Sequence, residues 1–123
     1  MLSILIADDN AQMRDSLSAW ASTQGFHSSS VGSGKGVIAT LNCTPIDLLI
    51  TDVVMPEMEG LETIVWVRSN FPKVKIFAMS GSGSLVNTPV YLNLAKKFGA
   101  DAVLLKPFDF GELQGLIKYH FKV

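Results

Sequence analysis

The chain has 123 residues, 48% of them hydrophobic and 17% charged, with 10 basic against 11 acidic side chains and a formal net charge of −1. That length suits one domain, 1–123, with a core that needs neither disulfides nor a structural metal, and the composition is too apolar for a disordered chain. The charge balance argues against nucleic acid as the main partner, and no apolar run approaches the roughly 20 residues of a membrane span.

In chain order, Ser3 to Ala7 reads as the first strand. It has no basic lead and runs straight into two aspartates, so it is not a secretory signal. Met13, Leu17, Trp20 and Ala21 then share one helical face, and Trp20 reads as core. Phe26 to Val31 is the second strand. Gly32 to Asn42 follows as a helix diluted by glycine and β-branched residues. Cys43 is the sole cysteine and cannot close an internal disulfide, which suits a reducing, cytoplasmic setting. Leu48 to Asp52 is the third strand, and Ile64, Val67, Arg68 and Phe71 form a helical stripe ending before Pro72. Lys75 to Met79 is the fourth strand. Tyr91, Leu94, Ala95 and Phe98 form the next stripe, with Gly99 placed to end it. Ala102 to Leu105 is the fifth strand. Phe110, Leu113, Ile117 and Phe121 mark a last helix, opened by Asp109 and Glu112 in capping-box spacing.

Three of the strands, Ile4-Leu-Ile-Ala7, Leu48-Leu-Ile50 and Ile76-Phe-Ala-Met79, are apolar on consecutive residues. A parallel strand covered on both faces requires this. Five βα units in such a chain define a doubly wound α/β sheet with helices on both faces, whose ligand site lies at the carboxyl ends of the strands.

Those strand ends carry chemistry. The first strand ends in Asp8 and Asp9, the third in Asp52, the fourth in Ser80 and the fifth in Lys106. Three carboxylates brought together repel unless a cation sits among them, and a hard oxygen set without His or Cys suits Mg²⁺. Lys106 and Ser80 add a positive charge and a hydroxyl for phosphate oxygens. Asp52, at the centre, would be the nucleophile that forms a mixed anhydride. Taken singly, each residue is ordinary in a turn or cap, and Asp8-Asp9-Asn10 could simply cap the first helix. Their joint placement at the correct ends of four strands favours a site.

These residues resemble the receiver domain of two-component response regulators over essentially the whole chain. The resemblance rests on Ile4-Leu-Ile-Ala-Asp-Asp9, on Asp47-Leu-Leu-Ile-Thr-Asp52-Val-Val-Met-Pro56 with Gly60, on Ala78-Met-Ser80-Gly81, and on Gly99-Ala-Asp101 leading into Leu105-Lys-Pro-Phe108. It implies a flavodoxin-like sheet of order 2-1-3-4-5. It also implies that Asp52 accepts a phosphoryl group from a phosphohistidine on a sensor histidine kinase or a histidine phosphotransfer protein. Mg²⁺ would be held by Asp8, Asp9, Asp52 and the backbone carbonyl of Val54, with Asp9 the more direct ligand of the acidic pair. Ser80 and Lys106 would contact the phosphoryl oxygens, and Lys106–Pro107 would be cis. Phosphorylation would switch binding to a downstream protein target. The family often pairs through its fourth helix, fifth strand and fifth helix. No direct nucleic-acid or membrane contact is expected, and no turnover of an external substrate.

One position departs from the family pattern. Receivers often carry an aromatic residue three before the lysine, and here Val103 stands there. Valine has no ring to swing, so output through the fourth helix and its leading loop, Gly81 to Thr88, is the expectation. Two other readings compete. An aspartate-nucleophile phosphatase would carry a second Asp two residues after the nucleophile, where this chain has Val54. An interaction module that is never phosphorylated would not require all five polar site residues. Gly32-Ser-Gly-Lys-Gly36 lacks the spacing and the Ser/Thr of a nucleotide loop, and His27 and His120 have no acidic or nucleophilic partner in sequence.

Overall fold

The computed structural model describes residues 1–53, 60–80 and 88–122, with the side chains at 88, 89, 91 and 92 excepted. Among the described residues ten elements alternate: β1 (Ser3–Ala7), α1 (Ala11–Thr23), β2 (His27–Val31), α2 (Gly34–Cys43), β3 (Leu48–Asp52), α3 (Gly60–Asn70), β4 (Lys75–Ser80), α4 (Thr88–Phe98), β5 (Ala102–Leu105) and α5 (Phe110–Phe121). The five strands form one parallel sheet of order β2-β1-β3-β4-β5. This is the doubly wound, flavodoxin-like arrangement expected from the sequence.

The consecutive apolar runs divide between two cores, one on each face of the sheet. Leu5, Ala7, Leu49, Ile76 and Ala78 point to one side, where Val37 and Leu41 of α2, Ile64 and Val67 of α3, and Ala95 of α4 cover them. Ile4, Ile6, Leu48, Ile50, Phe77, Met79 and Leu104 point to the other, under Leu17 of α1 and Leu113 and Ile117 of α5. Adjacent residues on a strand face opposite ways, so a strand buried on both faces must be apolar throughout. β2 is the exception. It lies at the sheet edge, begins one residue later than the sequence suggested, and exposes His27 to Ser30. Phe26 instead packs half-buried against Trp20, whose ring also stacks on Phe110 at 5.5 Å.

The caps follow local chemistry. Asn10 opens α1 by accepting from the Met13 N–H, and Asp109 opens α5 by accepting from the Glu112 N–H at 2.7 Å. Ser33 caps α2, which runs Gly34–Cys43, slightly later than the stretch expected. Gly36 explains its own presence there. A Cβ at that position would lie 2.9 Å from the Val31 Cβ, so this glycine lets α2 approach β2. Gly99 ends α4 with φ of +129°, as its position implied. Phe98, which the stripe assigned to the buried face, is 42% exposed; among the described side chains of α4 it is Ala95 that is buried in the core, and the side chain of Tyr91 lies outside the described residues. Among the described residues no helix is long and apolar enough to cross a membrane.

Arg68 also departs from the apolar reading of its stripe. Its guanidinium donates to the carbonyls of Gly99, Pro72 and Val74 and to the Asp101 carboxylate at 2.7 Å, while Asp101 also accepts from the Ile76 N–H. One side chain thus ties α3 to the starts of β4 and β5. Arg68→Ala strands several half-buried acceptors and should cost about 2 kcal/mol, read as a lower urea midpoint at unchanged slope.

Candidate functional site

The sheet register brings the polar residues together. Ala7 lies beside Thr51, Asp52 beside Met79, and Ser80 beside Leu105, so the carboxyl ends of four strands stand level. Asp8 follows β1, Asp52 ends β3, Ser80 ends β4 and Lys106 follows β5. Asp8 and Ser80 are fully buried, Asp52 is nearly so, and Asp9 is exposed. Each of the three carboxylates offers an oxygen within 4.8 Å of the others.

Such a cluster needs positive charge, and Lys106 supplies it. Its Nζ donates to Asp8 Oδ2 at 2.6 Å and to Asp52 Oδ2 at 3.3 Å. The Lys106 N–H bonds the Ser80 carbonyl, and the Lys106–Pro107 peptide is cis, as expected. Burial by itself would lower the lysine pKa. The hydrogen bond to Asp8 and the charges of Asp52 and Asp8 outweigh it and raise the value above the ordinary 10.5. Because the folded-state value is the higher one, the pair's stabilisation is whole below the unfolded value and is lost only as pH rises through the folded value. Between pH 6 and 9 this lysine should therefore contribute no slope to stability, and the loss should begin only above about pH 10 in an alkaline melting series.

Backbone contacts fix the acids. The Asp8 N–H bonds the Val31 carbonyl, and Asp8 Oδ1 accepts from the Asn10 N–H at 3.0 Å. The Thr51 hydroxyl donates to the Asp52 carbonyl at 3.0 Å, and the Val53 N–H bonds the Met79 carbonyl. Gly60, the first residue of α3, lies directly over the end of β3. A Cβ there would fall 2.2 Å from the Asp52 carbonyl oxygen.

Asp8, Asp9 and Asp52 are thus in mutual reach, Lys106 contacts Asp8 and Asp52, and Ser80 occupies the same sheet edge. Val54 lies outside the described residues, as does most of the loop leading into α4. Val103 is half-buried and packs into the core on the side of α2, α3 and α4. The tasks of Thr51 and Gly60 were not readable beforehand, whereas Asn10 caps α1 as the sequence allowed. Gly60 carried a signal as part of a motif, but its role is a close approach between segments.

The sheet and its acidic edge define a doubly wound α/β module with a polar site at the carboxyl ends of its strands, and comparison with known proteins supplies its family. The model of the response regulator receiver domain family matches residues 4–118. The chain belongs to that family. It is 34% identical over 114 residues to the response regulator receiver protein CpdR of Brucella abortus, covering 92% of this chain and 91% of that one. It is 31% identical to the DNA-binding transcriptional regulator NtrC of Azospirillum brasilense, covering 94% of this chain but 23% of that protein. A crystal structure of a response regulator receiver protein from Pseudomonas putida superposes with a TM-score of 0.86 at 26% identity over 96% of both chains. The chain is therefore a receiver domain of the kind found in two-component response regulators, and it spans less than a quarter of the longer relative.

Proposed function

We propose that residues 1–123 form one receiver domain in which Asp52 accepts a phosphoryl group from a phosphohistidine. The observation that carries this reading is the convergence of Asp8, Asp9 and Asp52 within 4.8 Å, with the Lys106 ammonium already seated between two of them. A carboxylate oxygen of Asp52 attacks phosphorus. One O–P bond forms, the N–P bond breaks, and its electron pair returns to the imidazole of the donor.

The acidic cluster fits a hard divalent cation, because its donors are all carboxylate oxygens and a lysine ammonium occupies the place such a charge would take. Asp8, Asp9 and Asp52 would hold Mg²⁺, with the carbonyl of Val54 as a further ligand. Bound there, Mg²⁺ would neutralise phosphoryl oxygens. Lys106 would leave its carboxylates to pair with the phosphoryl group, and Ser80 would donate its hydroxyl to it. The domain would act as a switch without turnover of an external substrate.

A sensor histidine kinase or a histidine phosphotransfer protein would be the donor, in the cytoplasm, where the exposed Cys43 stays reduced. A downstream protein, or a second copy, would meet α4, β5 and α5, where Val90, Leu105 and Tyr119 are exposed. With Val103 in place of a ring, output would run through α4 and its leading loop.

Incubation with acetyl phosphate and Mg²⁺ should add one phosphoryl group per chain by intact mass. Chelation of Mg²⁺ or Asp52→Asn should abolish the addition. Uptake that persists in Asp52→Asn would refute the assignment. Sustained multiple-turnover hydrolysis of a phosphorylated metabolite would favour the phosphatase reading instead.

A further inference from the structure

Asp9 is the one carboxylate of the three that is exposed, and no hydrogen bond among the described residues restrains its side chain. Its position therefore depends on the backbone that carries it. Among the described residues, one side chain restrains the oxygen of the peptide joining Asp8 to Asp9. Arg14, in the first turns of α1, donates from Nη1 to the Asp8 carbonyl at 2.8 Å. Arg14 is half-buried, and its own N–H bonds the Asn10 carbonyl, so the donor is anchored to the same turn it holds.

A second residue makes room for this contact. Gly32, just after β2, lies against the guanidinium. A Cβ there would sit 3.3 Å from Arg14 Nη1 and 4.0 Å from both Arg14 Cζ and the Asp8 carbonyl oxygen. Contact at 3.3 Å is tight enough that the guanidinium would have to shift. The small residue just after β2 thus leaves the space that the arginine of α1 occupies as it reaches this oxygen.

We propose that Arg14 is a positioning residue: by holding the Asp8–Asp9 peptide it orients the Asp9 carboxylate, and so sets the affinity of the acidic site for a divalent cation. This rests on the reading of the acidic cluster as a cation site. The sign of the effect separates it from simple electrostatics. Removing a positive charge near an acidic cluster should by itself tighten cation binding. Releasing the peptide that carries a ligand should weaken it, as loss of an outer-shell partner commonly does by ten-fold or more.

The test is binding of Mn²⁺ to the full chain, counted as free ion by electron paramagnetic resonance, with melting curves on every variant. Arg14→Met should weaken Mn²⁺ binding about ten-fold. Arg14→Lys, which keeps one donor and the charge, should recover most of the affinity. Gly32→Ala should weaken binding in the wild-type background and have little further effect in Arg14→Met, the non-additivity expected of residues sharing one contact. Unchanged or tighter binding in Arg14→Met, or additive losses, would overturn the proposal. Should Arg14→Met fail to melt cooperatively, Gly32→Ala and Arg14→Lys decide by the same criteria. Asp9→Asn identifies the cause of a failure. If it abolishes binding while Arg14→Met does not change it, the positioning role alone falls; if wild-type binding is absent or independent of Asp9, the cation site falls with it.

Discussion

Gly60→Ala should lower stability by about 3 kcal/mol and the melting midpoint by about 10 °C. The added Cβ would meet the Asp52 carbonyl oxygen at 2.2 Å, the Val53 Cα at 2.5 Å and the Val53 carbonyl carbon at 2.7 Å. All three are backbone atoms, so no rotamer change relieves the overlap. Either α3 lifts from the end of β3 or the end of β3 moves, and the second displaces Asp52. Misplacing a reacting group by about 1 Å can cost roughly a hundredfold in rate, so phosphoryl uptake from acetyl phosphate should fall by that order in the fraction that stays folded. Gly115→Ala is the control. That glycine lies within α5 and a Cβ there meets nothing within 4 Å, so alanine should stabilise by about 0.5–1 kcal/mol. A Gly60→Ala protein that melts with the wild type would show that the approach of α3 to β3 is looser than described.

Lys106→Met should cost about 3 kcal/mol in the absence of divalent cations. The change leaves Asp8, whose side chain is 1% exposed, without its ammonium partner at 2.6 Å and removes the contact to Asp52. Breaking one half of a buried pair is costly because the remaining charge is uncompensated. The same change removes an internal competitor for the carboxylates, so Mg²⁺ should bind more tightly. Added Mg²⁺ at 100 times its dissociation constant should then return about 2.7 kcal/mol by mass action. Urea melts with and without Mg²⁺ measure both effects. A variant as stable as the wild type without Mg²⁺, or one indifferent to Mg²⁺, would contradict the role given to the lysine.

The sequence made the sheet legible because burial on two faces leaves a continuous apolar run. β1, β3 and β4 could be read from Ile4 to Ala7, Leu48 to Ile50 and Ile76 to Met79, and their alternate residues now line the two cores. β2 gave a weaker signal, since an exposed edge strand of His and Ser carries no such run. The residues of the site were legible for a topological reason: parallel strands end on one edge, so whatever follows each strand converges there. Which of them touch was not legible. Lys106 and Asp8 are 98 residues apart, and only the folded register brings them to 2.6 Å.

Contacts from side chains to distant backbone were the least readable. Arg68 sits at a helical spacing that suggested an apolar stripe, yet its partners are carbonyls at Pro72, Val74 and Gly99 and a carboxylate at Asp101. Arg14 and Gly32 likewise meet across two loops at a peptide oxygen that has no signature in sequence. Gly36 read as diluting a helix, and Gly60 entered only as part of a motif. Both instead permit close approach of a helix to a strand, to Val31 in one case and to Asp52 and Val53 in the other.

Reductive trapping of the phosphorylated chain with borohydride, followed by peptide mapping, tests the central claim most directly. An aspartyl phosphate is reduced to homoserine, so the modified residue reports the acceptor's identity. Homoserine is expected at position 52 alone, formed only when Mg²⁺ was present during phosphorylation. Trapping at position 8 or 9, or equal trapping when phosphorylation is carried out with Mg²⁺ chelated throughout, would contradict that claim.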